Sequence, residues 1–200
     1  RDSQDGQRNE TNNMDLTSSQ FAAVNFRGRN LLIIAGPGSG KTRTLVERIK
    51  RLVAESQPSG GMVALTYTVA AARELTERLG DIRLGYCGTL HGYMLRAVQS
   101  AWGGRVTVIS EDDARALRNR IGDAQGYRGT EKALDEAIAA GPGAKLPPVP
   151  TTADIVARAY WRQLRSYGLV TFDSLLHYGE QYADNLACDF LFVDELQDSS

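Results

Sequence analysis

The sequence predicts an α/β protein, a parallel sheet flanked by helices and interrupted by a mainly helical insertion. Three observations carry this expectation. Apolar runs at 31–34, 62–67 and 190–193 have the length of fully buried strands. Segments of helical period follow the first two runs. From 103 to 168 the pattern shifts to helix signals, with one short β-branched run at 106–110.

Taken in order, residues 1–13 hold no large apolar side chain and read as a mobile tail. "LTSSQFAAV" (16–24) is a helix start, with Thr17 and Gln20 spaced as a capping box. "LLII" (31–34) reads as a buried strand, and Leu45, Val46, Ile49, Leu52 and Val53 share the inner face of the next helix. "MVALTY" (62–67) is a second strand, followed by a helix with Ala72, Leu75 and Leu79 inward. "GYCGT" (85–89) is a third strand, and "LHGYMLRAV" (90–98) opens another helix. The order β-α-β-α-β-α implies parallel strands with crossover helices. Ser110 with Asp113, and Thr151 with Asp154, mark later helix starts on either side of a Pro/Gly loop at 139–150. "TFDSLLHYGEQY" (171–182) is a further helix, and "FLFV" (190–193) a last strand running straight into "DELQDSS". The expected organisation is a tail at 1–14, a core domain from 15–100 and 169–200, and an insertion at 101–168.

Composition excludes several classes. The net charge is −1 over 200 residues, so the chain is not a generally basic nucleic-acid binder, and any such site is a local groove. No apolar run spans a bilayer, and no membrane partner is expected. Cys87 and Cys188 lack metal-ligand spacing and read as buried thiols of a reducing, cytoplasmic compartment.

The chemistry concentrates in two places. "AGPGSGKT" (35–42) lies between the first apolar run and the first long helix. There Gly36, Pro37, Gly38, Ser39 and Gly40 let backbone N–H groups turn around a phosphate at a helix N-terminus. Lys41 would reach the outer phosphates, and the Thr42 hydroxyl would ligate Mg²⁺. The common pattern has glycine where this chain has Ala35, but Gly40, Lys41 and Thr42 carry its most specific part. The second place is Asp194-Glu195, at the end of an apolar run. Asp194 is expected beside the Mg²⁺, and Glu195 is expected to orient or deprotonate an attacking water. ATP and Mg²⁺ are therefore the expected cofactors.

Six stretches in order resemble the N-terminal part of superfamily 1 DNA helicases of the UvrD/Rep/PcrA type: "LTSSQFAAV", "AGPGSGKTR", "ALTYTVAAARELTERL", "GTLHGYMLR", "TFDSLL" and "VDELQDSS". The resemblance covers nearly all of residues 15–200. It implies a RecA-like P-loop domain in an ATP-dependent 3′-to-5′ helicase acting on single-stranded DNA and duplex junctions. It implies that Gln20 reads the adenine edge, that Arg43 stacks on adenine, and that Gln197 senses the γ-phosphate. It implies DNA contacts at Thr66, Tyr67, Thr89 and His91. It also implies a second RecA-like domain of the same polypeptide beyond residue 200, so that the chain alone unwinds nothing. The sequence departs from the family pattern at Tyr67, where Phe is usual, and at Val69 and Ala70, where an Asn-Lys pair is usual. Leu90 and Gly92 also differ from the usual residues.

Alternatives stay open at this stage. Gln20 serves either a capping box alone or a base contact as well. Tyr67 is either the last core residue of its strand or a stacking platform. His91 makes either a local hydrogen bond at its helix start or a DNA contact. Arg158, Arg162 and Arg165 share one helix face, which is either solvated or set against phosphates. Besides a helicase, the chain fits a helicase–nuclease polypeptide of the RecB/AddA type, or a truncated DNA- or partner-binding module without activity.

Overall fold

A computed structural model describes residues 16–55, 57–186 and 188–195. In chain order the main elements are α1 (Ser18–Asn25), α2 (Lys41–Ala54), β1 (Met62–Thr66), α3 (Val69–Leu79), β2 (Tyr86–Thr89), α4 (Leu90–Trp102), β3 (Thr107–Val108), α5 (Glu111–Ala124), α6 (Glu131–Ala139), α7 (Thr152–Ser166), β4 (Leu169–Val170), α8 (Phe172–Tyr182) and β5 (Phe190–Val193). The described residues up to Thr89 and from Cys188 onward form one compact unit, and the stretch Leu90–Ala187 forms another.

The first unit holds a parallel sheet in the order β2-β1-β5. All five residues of β1 are buried, as a central strand with helices on its faces requires. Val46, Ile49 and Leu52 of α2 and Leu75 and Leu79 of α3 close the core over Met62, Ala64 and Phe192. The inner faces expected for both helices therefore hold. The register sets Leu65 beside Val193 and Thr66 beside Thr89, so the three strands end along one edge. In a parallel sheet that carboxyl edge is where ligands bind.

The strand expected at 31–34 does not form. Leu32 and Ile34 are 69% and 88% exposed, and no ladder partner takes up their backbone among the described residues. Apolar content alone does not make a strand; the N–H and C=O groups need a neighbour. A cleft of about 920 Å³ is lined by both this segment and β5.

The second unit is mainly helical, with a two-strand parallel pair, β3 and β4. Leu117, Leu134, Val156, Trp161, Leu164 and Tyr178 are among its core residues. The capping pairs read from sequence are present: Ser110 Oγ accepts from the Asp113 N–H, and Thr151 and Asp154 form a full capping box. The limits expected for the insertion, 101 and 168, fall inside this unit. Helices α4 and α8 share its core through Val98, Leu175 and Tyr178. Gly179, on α8, lies against Met94 of α4, where a Cβ would have no room. Burial pushes the hydroxyls of Tyr160 and Tyr178 up to about 12.

Cys87 is half-buried, its thiol donating to Ala72 O, but Cys188 is exposed, contrary to the expectation of two buried thiols. Cys188 follows the 3-10 turn Ala183–Asn185 and precedes β5, which itself buries only Phe192 and leaves Leu191 56% exposed, so the strand at 190–193 is not the fully buried one expected. Among the described residues no helix is long and apolar enough to cross a membrane.

Candidate functional site

The loop from Ala35 to Gly40 leads into α2 without a side-chain cap. Gly38 and Gly40 take φ of 73° and 82°, the left-handed region that glycine enters without strain. Gly40 is constrained twice, because a Cβ there would meet Gln20 Nε2 at 2.7 Å. Gly36 has open space around it, so the start of the loop is not crowded by its own protein. The first-turn N–H groups of α2 carry the positive end of the helix dipole toward this loop. Ala35, the departure from the common pattern, contributes its carbonyl, which accepts from Lys41 Nζ at 3.3 Å. A methyl group at an exposed position does not disturb that bond.

Two pairs bridge the loop and β5. Thr42 Oγ1 donates to Asp194 Oδ2 at 3.2 Å, and Lys41 Nζ lies 3.6 Å from Glu195 Oε1. Asp194 is fixed by its own N–H, which donates to Leu65 O across the sheet edge. Glu195 has φ of 54° and is the non-glycine residue with positive φ among those described. A left-handed residue one position beyond Asp194, just past the end of β5, turns the chain sharply. Consecutive carboxylates are thereby sent to different partners, Asp194 to the hydroxyl and Glu195 to the ammonium. Hard oxygens from Thr42 and Asp194 suit Mg²⁺, which takes few protein ligands beside substrate phosphates. Among the described residues no group of three or more His, Cys, Asp or Glu side chains could hold a metal ion.

The Gln20 amide joins α1 to the loop. Its Oε1 accepts from Thr17 N–H at 2.9 Å, closing the capping box, and its Nε2 donates to Ser39 O at 2.9 Å. The capping box is thus real, and it leaves the amide one N–H and one lone pair in hand. Arg43 is exposed on the first turn of α2. Gln197 lies outside the described residues.

Two residues the sequence did not single out stand behind this arrangement. Arg48 Nη1 donates to the carbonyls of Ala23, Val24 and Phe26 at 3.0, 3.2 and 2.8 Å. Arg51 Nη1 donates to Val24 O at 2.6 Å. Burial, with Arg51 nearby, lowers the Arg48 pKa from its usual value. Glu55 receives both Arg51 and Arg27, and the Arg51 hydrogen bond above all holds its carboxyl below the usual range.

The expected DNA-contact residues fall in both units. Thr66 is buried, and its hydroxyl donates to Thr68 O, fixing the turn that leaves Tyr67 62% exposed. Tyr67 is therefore not a core residue of its strand. Thr89 pairs in register with Thr66, and its carbonyl accepts from the Tyr86 hydroxyl at 3.0 Å. His91 belongs to the second unit, where its ring meets Phe172 edge-on at 5.5 Å. Arg158, Arg162 and Arg165 are all exposed on α7, opposite the buried Val156, Tyr160 and Leu164. Arg165 is partly engaged: its guanidinium lies over the Trp102 ring at 5.7 Å and donates to the Tyr182 hydroxyl at 3.3 Å.

The chain is 30% identical over 189 residues to ATP-dependent DNA helicase UvrD1 of Mycobacterium tuberculosis, covering 80% of this chain and 24% of that protein. It is 40% identical over 65 residues to an ATP-dependent helicase/nuclease protein of Lactobacillus gasseri, or 32% of this chain and 5% of that one. The helicase/nuclease protein of the same description from Clostridium perfringens is 44% identical over 68 residues, again 32% of this chain and 5% of the relative. The chain thus spans a small part of the length of each of these relatives. The sequence model of the UvrD/REP helicase N-terminal domain matches residues 16–200, and the chain belongs to that family.

Proposed function

We propose that this chain is the nucleotide-binding part of an ATP-dependent DNA helicase that moves 3′ to 5′ on single-stranded DNA. The observation that carries the reading is the double bridge between loop and strand: Thr42 to Asp194 at 3.2 Å and Lys41 to Glu195 at 3.6 Å. Phosphates of ATP enter between Lys41 and the open start of α2, and Lys41 exchanges Glu195 for the γ-phosphate. Thr42 and Asp194 would hold Mg²⁺, which when bound would supply charge neutralisation for the phosphates. Once released from Lys41, the Glu195 carboxylate orients the attacking water and accepts its proton. The free N–H and lone pair of Gln20 match the acceptor and donor on the outer edge of adenine. Arg43 stacks on the base, and Gln197 reports the γ-phosphate to the DNA site.

DNA runs along the carboxyl edge of the sheet, with the exposed Tyr67 stacking on a base, Thr66 holding the turn behind it and Thr89 beside it; His91 is a further DNA contact. Arg158 and Arg162, and Arg165 to a smaller extent, meet backbone phosphates of a duplex junction. A second RecA-like domain of the same polypeptide completes the ATP site and converts turnover into movement. The match to UvrD1 over most of the chain favours this reading over a helicase–nuclease, whose matches stay within 65–68 residues. The test is strand separation by the longer polypeptide, with duplexes tailed on either end. ATP-dependent unwinding from a 3′ tail is expected; unwinding from a 5′ tail alone overturns the polarity, and unwinding without ATP overturns the coupling.

A further inference from the structure

Helix α1 is short, and its attachment is mostly polar. Of its eight residues only Val24 is buried, while Phe21 and the flanking Phe26 are 45% and 37% exposed. It has no basic residue in its own last turn to meet its C-terminal carbonyls. Those carbonyls are met from α2 instead: Arg48 takes Ala23, Val24 and Phe26, and Arg51 takes Val24. The Arg48 guanidinium also lies 5.9 Å from the centre of the Phe26 ring. A cation at a helix C-terminus suits both the dipole and the orphan carbonyls. At the other end of α1, Gln20 is bonded to Ser39 O in the loop that opens α2. The links close a ring: loop, α2, Arg48, α1, Gln20, loop.

We infer that Arg48, supported by Arg51, is a positioning residue for base recognition, holding α1 so that the Gln20 amide faces the base of a bound nucleotide. The inference rests on the proposed reading of the loop as an ATP site. Arg48 directs its hydrogen bonds to the carbonyls of Ala23, Val24 and Phe26 and not to the loop. Its loss frees the C-terminal end of α1 while the loop, Lys41 and Thr42 keep their own connections. Phosphate binding and base discrimination therefore separate.

The experiment measures affinities of the 200-residue chain for Mg-ATP, Mg-CTP and Mg-tripolyphosphate in the parent, Arg48→Ala, Gln20→Ala and the double variant. Arg48→Ala should lower ATP affinity about tenfold, the scale of one lost charged hydrogen bond, and leave tripolyphosphate within about twofold. The ATP-to-CTP ratio should fall as far as in Gln20→Ala, and the double variant should fall no further, because both changes remove one device. An unchanged ratio, an equal loss for all three ligands, or additive losses in the double variant overturns the inference. If Arg48→Ala does not fold, Arg48→Lys keeps one charged donor for several carbonyls; it should lower the ratio by an intermediate amount, and a parental ratio overturns the inference. A parent that binds none of the three ligands overturns the ATP-site reading itself and the inference with it.

Discussion

Replacing Lys41 by Ala separates a residue of the site from a residue of the fold. The side chain is 25% exposed, and its contacts are one carbonyl at 3.3 Å and one carboxylate at 3.6 Å. A half-exposed ion pair contributes about 0–1 kcal/mol and a hydrogen bond about 1 kcal/mol, so folding should lose no more than about 2 kcal/mol. Part of that returns, because Glu195 regains water. A chain of this size then melts no more than about 8 °C lower. Binding behaves differently. A unit charge about 4 Å from a phosphate oxygen is worth about 4 kcal/mol at an effective dielectric of 20. Discounting for exposure, affinity should fall roughly 10²- to 10³-fold. Titration calorimetry with Mg-ATP on both proteins, beside their thermal melts, reads both quantities. Equal ATP affinity would refute the assignment of the loop, and a melt lowered by 15 °C or more, judged against about 2–4 °C per kcal/mol, would show that Lys41 supports the core.

Three further outcomes are expected. In the longer polypeptide, Glu195→Gln should cut ATP turnover by roughly two to four orders of magnitude. ATP affinity should hold or rise, since the Lys41 pair is gone; phosphate release at the parental rate would remove Glu195 from the chemistry. Arg158→Ala and Arg162→Ala should each flatten the slope of log affinity for a tailed duplex against log salt by roughly 0.7–0.9, with a smaller change for Arg165→Ala; an unchanged slope would leave α7 a solvated face. At high pH, Tyr160 and Tyr178 have folded pKa values raised to about 12 from 10.0. The folded state then holds its protons longer, so stability is full below pH 10 and declines from there to about 12, by roughly 2–3 kcal/mol per tyrosine. Tyrosinate absorbance followed against helical circular dichroism checks this; ionisation of all tyrosines near 10 with the helices intact would contradict it.

What the sequence shows of the site follows how local each feature is. The loop is legible because its chemistry lies within eight consecutive residues, and Asp194-Glu195 because an apolar strand points at it. The capping box of Thr17 and Gln20 is equally local. The second bond of Gln20 is not, since Ser39 O is a backbone group 19 residues away. Arg48 and Arg51 are hidden for the same reason. Their partners are carbonyls 22 to 27 residues back, and a carbonyl has no signature in a sequence. Arginine on the polar side of an amphipathic helix reads as a solvated charge until the neighbouring helix end is seen.

The segment 31–34 shows the converse limit. Its composition matches that of β1, yet β1 is buried at all five positions and Ile34 is 88% exposed. Hydrophobicity states how much a segment gains from burial; it does not say what does the burying. Strand β1 has β2 on one side and β5 on the other, each in full parallel register. Segment 31–34 borders a cleft instead, with β5 among the other walls. Among the described residues its backbone has no ladder partner, while its end, at Ala35, still takes Lys41. The loop geometry therefore does not depend on a strand before it. The glycines and the start of α2 shape the loop, and Thr42 and Lys41 tie it to the end of β5.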